Sequence, residues 1–162
     1  VLVLATCLAC GLALAQMATY TDGEAGFSVD YPEPWEVLPF DEDGAVEFSE
    51  RDAFFFVSVF DADLLPVTNL EELAALLLED LDDVFDELAL RSREATVLAG
   101  LPAVAVEYEA YDDFLEMLVR GVVIVAYDER RIVVVDMEAP SAEWERYAAT
   151  FEMMQTSLVL LP

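Results

Sequence analysis

Two segments constrain this chain more than any others. Residues 122–126 read VVIVA and residues 132–135 read IVVV, with DERR between them at 128–131. Near-continuous β-branched runs predict adjacent strands buried on both faces. The segment AFFFVSVF at 53–60 has the same character: Phe54, Phe56, Ser58 and Phe60 fall on one side, Phe55, Val57 and Val59 on the other. A sheet that is apolar above and below needs a cover on each face.

Two helical patterns can supply the covers. Over residues 68–90, Leu70, Leu73, Ala74, Leu77, Leu81, Val84, Phe85 and Leu88 recur at threes and fours, which predicts one amphipathic helix. Thr68 and Glu71 have the spacing of a capping box, and Arg91 and Arg93 suit the negative end of the helix dipole. A second helix is expected over 141–154, with Trp144, Tyr147, Ala148, Phe151 and Met154 as its stripe, followed by a short extended segment at 157–161.

The connections between predicted strands are short, so the sheet should be mostly antiparallel. Asp22-Gly23, the DEDG at 41–44, and Gly100 with Leu101 and Pro102 are turn signals. Residues 18–24 read as a polar lead-in. Phe27, Val29 and Tyr31 alternate into Pro32 and Pro34, which withdraw two backbone donors, so the strand at 26–31 must stop or lie at an edge. Trp35 then plugs the end of the core. The fold class expected is α+β, a three-layer α-β-α sandwich around a mostly antiparallel sheet of about six strands.

Mean hydropathy is +0.42, yet beyond residue 15 carboxylates interrupt every apolar run, so no membrane span is expected. Residues 1–15 read as a secretory leader without its basic start. The Ala13-Leu14-Ala15 pattern suits cleavage before Gln16, with 16–162 as one domain; Cys10, after Leu8-Ala9 and before Gly11, is the lipoprotein alternative. Either path implies export to the periplasm or the exterior.

Both cysteines, Cys7 and Cys10, lie in that leader, and the chain has no His and no Lys. Thiol and imidazole nucleophile pairs, Schiff-base lysines and the usual zinc sites are thereby excluded, and an enzyme would have to work with carboxylates alone. Thirty-four acids against seven arginines give a net charge of -27, which repels nucleic acid.

Glu79, Asp80, Asp82, Asp83, Asp86 and Glu87 form an acidic helix face, read as solvated, with weak Ca²⁺ binding as the sharper alternative. Glu107 with Glu109, and Asp136 with Glu138, alternate out of strands and are expected on exposed sheet faces. Arg120 interrupts an apolar strand beside Gly121. A structural ion pair explains it, with Glu116 a conceivable partner; a ligand-anchoring Arg120 in a pocket wall is the alternative.

The order GFSVDYPEPW, then a long helix near Leu70, then LAGLPAVAVEY, two long apolar strands and FEMMQTSL resembles the PsbP-like family and its bacterial exported relatives. Gly26, Phe27, Tyr31, Pro32, Trp35 and Gly100 carry the likeness, with Phe151, Met154 and Ser157 near the end. These are structural residues, not reactive ones. The resemblance implies an α-β-α sandwich that binds a protein or envelope component without turnover, as in a photosystem II extrinsic subunit or a Ran-binding import factor.

Overall fold

The computed structural model describes residues 16–40, 44–85 and 87–162. Residues 1–15 with Cys7 and Cys10, most of the DEDG segment and Asp86 lie outside the described residues.

Among the described residues there are ten strands and two α-helices, with one 3₁₀ turn at Ala62–Leu64. In chain order they are β1 (Met17–Asp22), β2 (Phe27–Pro32), β3 (Glu36–Phe40), β4 (Ala45–Glu50), β5 (Ala53–Asp61), α1 (Leu70–Val84), β6 (Ala89–Leu98), β7 (Leu101–Asp112), β8 (Met117–Tyr127), β9 (Arg131–Pro140), α2 (Trp144–Ser157) and β10 (Val159–Leu160). The main sheet has seven strands in the order β3-β4-β5-β9-β8-β7-β6, and every pairing in it is antiparallel. It is built from two local meanders, β3 to β5 and β6 to β9, which meet where β5 pairs with β9. A smaller sheet, β1-β2-β10, stands apart.

The two-sided apolar strands behave as their composition demands. On one face Phe55, Val57, Val133, Val135 and Ile124 pack against Trp144, Tyr147, Phe151 and Met154 of α2, joined by Phe27 and Val29 of the small sheet. On the other face Val104, Val106, Val119, Val123, Val125 and Ile132 pack under Leu73, Ala74 and Leu81 of α1. The helices thus lie on opposite faces of an α+β three-layer sandwich, in which the small sheet shares one outer layer with α2.

The strand inventory is larger than expected. The polar lead-in is β1, whose register runs from Met17 opposite Pro32 to Asp22 opposite Phe27. The segment after Trp35 is β3, an edge strand whose Pro39 removes a donor, as edge strands allow. Neither carries enough apolar alternation to stand out. β2 ends at Pro32, and Trp35 is buried against Tyr147 and Phe151, their rings 6.1 and 6.0 Å away. The Gly100 turn is tighter than expected: Ala99 and Gly100, with φ of 48° and 84°, form it, while Leu101 and Pro102 already belong to β7.

Helix α1 differs from expectation at both ends. Its cap is Asn69, not Thr68: Asn69 Oδ1 accepts from the Glu72 amide at 3.0 Å, and the Glu72 carboxylate accepts from the Thr68 amide and hydroxyl at 2.8 and 2.9 Å. The capping box is real but displaced by one residue. The helix stops at Val84, short of residue 90, and Arg91 and Arg93 fall in β6. Asp80, Asp82 and Asp83 already crowd the negative pole, and no basic residue occupies the last turn. Arg93 returns to bind Glu71 near the start of α1.

Candidate functional site

Each residue that carries the likeness has a definite place. Gly26 adopts φ 76° at the end of the β1–β2 turn, and its carbonyl accepts from the Leu161 amide at 2.7 Å. Phe27 is fully buried, and Tyr31 packs its ring 4.9 Å from that of Phe48. With Pro32, Trp35 and Gly100 they terminate, turn or fill; none lines a site.

Arg120 projects toward α2. Its guanidinium meets Glu107 Oε1 at 2.9 Å and Glu145 at 3.6 Å, and it lies 4.8 Å over the Trp144 ring. Glu116 sits in the turn before β8 with φ 54°, and the carboxylates that Arg120 meets are those of Glu107 and Glu145. Arg120 lines neither of the cavities described below. Glu109 is engaged by Arg91 at 2.7 Å and by the Ser141 hydroxyl at 3.0 Å, and these contacts hold its carboxyl below the usual range.

The expectation of exposed carboxylates fails at Asp136 and Glu138. Both point from β9 toward the α1 face, where Glu138 is only 2% exposed. The reason is one strand away. Gly121 on β8 lies opposite both Tyr108 and Glu138, and a Cβ there would come within 2.4 Å of the Tyr108 ring. Without that carbon the ring crosses β8, and the Tyr108 hydroxyl donates to Glu138 Oε2 at 2.8 Å. In the sequence, Gly121 beside a β-branched run is the signal of this close approach.

Asp136 and Glu138 floor a cavity of about 510 Å³ between the end of α1 and the sheet. Phe54 of β5, Leu81, Val84 and Phe85 from α1 and the residue after it, and Asp112, Asp113 and Phe114 at the β7–β8 turn complete its lining. Asp136 Oδ1 is buried and has no hydrogen-bond partner among the described residues. Burial, then the charge of Glu138, pushes the Asp136 carboxyl up to about 8, while the Met137 amide and Tyr108 act the other way. Burial likewise lifts Glu138 to about 7 against the Tyr108 hydrogen bond, with Asp112 adding to the rise. The Tyr108 phenol is raised by burial and by both carboxylates.

A second cavity, of about 1000 Å³, lies between the β1–β2 turn and β5. Two of its polar groups serve the chain itself: Asp22 Oδ1 accepts from the amides of Glu24 and Ala25, and Arg131 is held by Asp128 and the Leu161 carbonyl. Among the described residues no group of His, Cys, Asp and Glu could hold a metal ion. Nor is any helix among them long and apolar enough to cross a membrane.

Beside α1, no other α-helix among the described residues covers the same face of the main sheet. α1 covers β7 and β8, and the rows Leu38–Glu47–Phe56–Asp136 and Phe40–Ala45–Ser58–Val134 run on across β3, β4, β5 and β9. Leu38 is 55% and Phe40 39% exposed, and Phe54 and Phe56 are half-buried. The acid-floored cavity marks the border between the covered and open halves.

No family model and no curated protein sequence matches the chain. Solved structures do. Cyanobacterial PsbP (CyanoP) from Synechocystis superposes with a TM-score of 0.67 at 18% identity, over 93% of this chain and 95% of that one. LpqN of Mycobacterium tuberculosis, described as involved in cell envelope biogenesis, gives 0.61 at 13%, over 91% of each chain. The Saccharomyces cerevisiae Ran-binding protein Mog1p gives 0.61 at 13%, over 91% of this chain and 96% of that one. At these identities the likeness is one of fold, a PsbP and Mog1 type of sandwich.

Proposed function

We propose that this chain is a non-catalytic binding module, exported by way of its first fifteen residues, that docks another protein on the open half of the α1 face. The observation that carries this reading is the partly exposed apolar set of Leu38, Phe40, Phe54 and Phe56 beside a helix whose main sheet contacts are with β7 and β8. Contiguous apolar surface on a sheet face favours a partner that covers it. Glu36, Glu47 and the acids of the cavity border it, so a basic partner complements it and a phosphate-bearing one does not. A Ran-binding relative in fold is in keeping with such a role.

A carboxylate-based hydrolase is the second reading, favoured by Asp136 and Glu138 on one cavity with carboxyls raised toward neutrality. Its difficulty is geometric. The two stand two residues apart on one strand and face, so they lie under a ligand, whereas glycoside hydrolysis needs carboxylates on either side of the bond.

The test is affinity capture from an envelope extract with the Leu38→Ser/Phe56→Ser double variant beside the parent chain. Capture lost in the double variant and kept in Val97→Ser, on the distant β6, supports docking at the open face. Equal capture by all three chains, or hydrolysis of a glycoside panel abolished by Glu138→Gln, would overturn it.

A further inference from the structure

We propose that the cavity floored by Asp136 and Glu138 is a receptor for a guanidinium group, presented by a partner's arginine or by a small guanidino compound. Its volume, about 510 Å³, lies within the range of small-ligand sites. The floor offers Glu138, already oriented by Tyr108, and the buried Asp136 Oδ1, which has no hydrogen-bond partner among the described residues. An unpaired buried acceptor is costly, so the site is set to receive a donor.

Donor type follows from the walls. Phe54, Phe85 and Phe114 supply aromatic surface, and a planar cation that stacks on rings while donating a fork of N–H groups to carboxylates is a guanidinium. A bare metal ion fits poorly, because the described acids do not converge as ligands. None of the seven arginines of the chain lines the cavity, so the cation must come from outside.

Charge state gives the site a further property. Asp136 and Glu138 on β9, Tyr108 and Asp112 on β7, and Asp113 at the rim are the titratable groups that line the cavity or bond to its floor, while β5 and the α1 end contribute Phe54, Leu81, Val84 and Phe85. Among the described residues no cation lines the cavity to offset these acids, so an arriving guanidinium expels protons from the floor as it binds. Affinity should therefore rise with pH through neutrality.

The proposal rests on the docking reading only in naming a partner's arginine as one source. Titration calorimetry of the full chain with N-acetyl-arginine amide, and with its neutral isostere N-acetyl-citrulline amide, tests it. Expected results are saturable binding of the arginine ligand, at least tenfold weaker binding of citrulline, tightening between pH 6 and pH 8.5, and proton release that scales with buffer ionisation enthalpy. Asp136→Asn and Glu138→Gln should each weaken binding at least tenfold, and the exposed Glu94→Gln should not. Phe114→Ser alters a side chain 92% exposed, cannot disturb the core, and should weaken binding several-fold.

Agmatine binding tighter than the arginine amide assigns the small-molecule source, and the reverse order assigns a partner's side chain. No binding, equal binding of citrulline, or a Glu94→Gln effect matching that of Glu138→Gln would overturn the proposal. Guanidinium binding lost with protein capture intact would do so while leaving the docking surface standing.

Discussion

The hydroxyl of Tyr108 reaches over a neighbouring strand to donate to Glu138 Oε2 at 2.8 Å, two strands from its own backbone. The reach depends on Gly121, where any side chain would occupy the space of the ring. Gly121→Ala should therefore destabilise the chain by about 2 kcal/mol or more, the scale of overpacking a tight core. In a Tyr108→Leu background the same change should cost less than half as much, because the two positions share one contact. Urea unfolding of the four chains of this cycle measures it; additive costs would show that the ring is displaced without consequence.

The buried acids make stability depend on pH in an unusual direction. A carboxyl lifted above its ordinary value takes up a proton on folding, so the stability it contributes is full below the ordinary value and lost as pH rises through the shifted one. For Asp136 the window runs from 3.8 to about 8, and for Glu138 from 4.5 to about 7. Stability should fall across that window by at most about 1.4 kcal/mol per pH unit for each proton involved. Asp136→Asn, which mimics the protonated acid, should flatten the curve and stabilise the chain at pH 8. Denaturation midpoints at pH 5, 6.5 and 8 check this; parallel curves for parent and variant would remove Asp136 as the cause.

Helix α1 offers a test of a single hydrogen bond. Asn69→Ala removes the acceptor of the Glu72 amide and should cost about 1 kcal/mol. Thr68→Val removes only an exposed hydroxyl contact to the Glu72 carboxylate and should cost less than half of that. Thermal unfolding ranks the two, and the reverse order would return the cap to Thr68.

The net charge of -27 implies self-repulsion in the compact state. Raising sodium chloride from about 0.05 M to about 1 M shortens the screening length from over 10 Å to about 3 Å and should raise the melting temperature by several degrees. Scanning calorimetry at both salts decides it, and an unchanged midpoint would mean that the surface carboxylates are already dispersed enough to ignore one another.

Much of the architecture was legible because it rests on burial alone. Val122–Ala126 and the run from Ile132 to Val135 announce a doubly covered sheet, and the stripe from Leu70 to Leu81 announces one of its covers. The candidate site was not legible, because alternation assigns residues to faces but does not say which face is buried. Asp136 and Glu138 share a side, and that much could be read. Whether that side meets water depends on where α1 ends and on Tyr108 crossing Gly121, and both follow from tertiary packing. The end of α1 is hidden in the sequence for a related reason: Val84, Phe85 and Leu88 continue the helical stripe, while the carboxylates that disfavour continuation sit off it.

The junction of β5 with β9 joins residues near 54–61 to residues near 131–138, whereas every other contact of the main sheet lies within a hairpin. The molecule is in effect two ribbons zipped along one line, and long-range closure of that line is the slow kind of step. Asp136 and Glu138 lie on the zip itself, opposite Phe56 and Phe54. Bringing the ribbons together must strip water from both acids at once, so refolding is expected to slow as alkali ionises them, and stopped-flow mixing above and below pH 8 would register the difference.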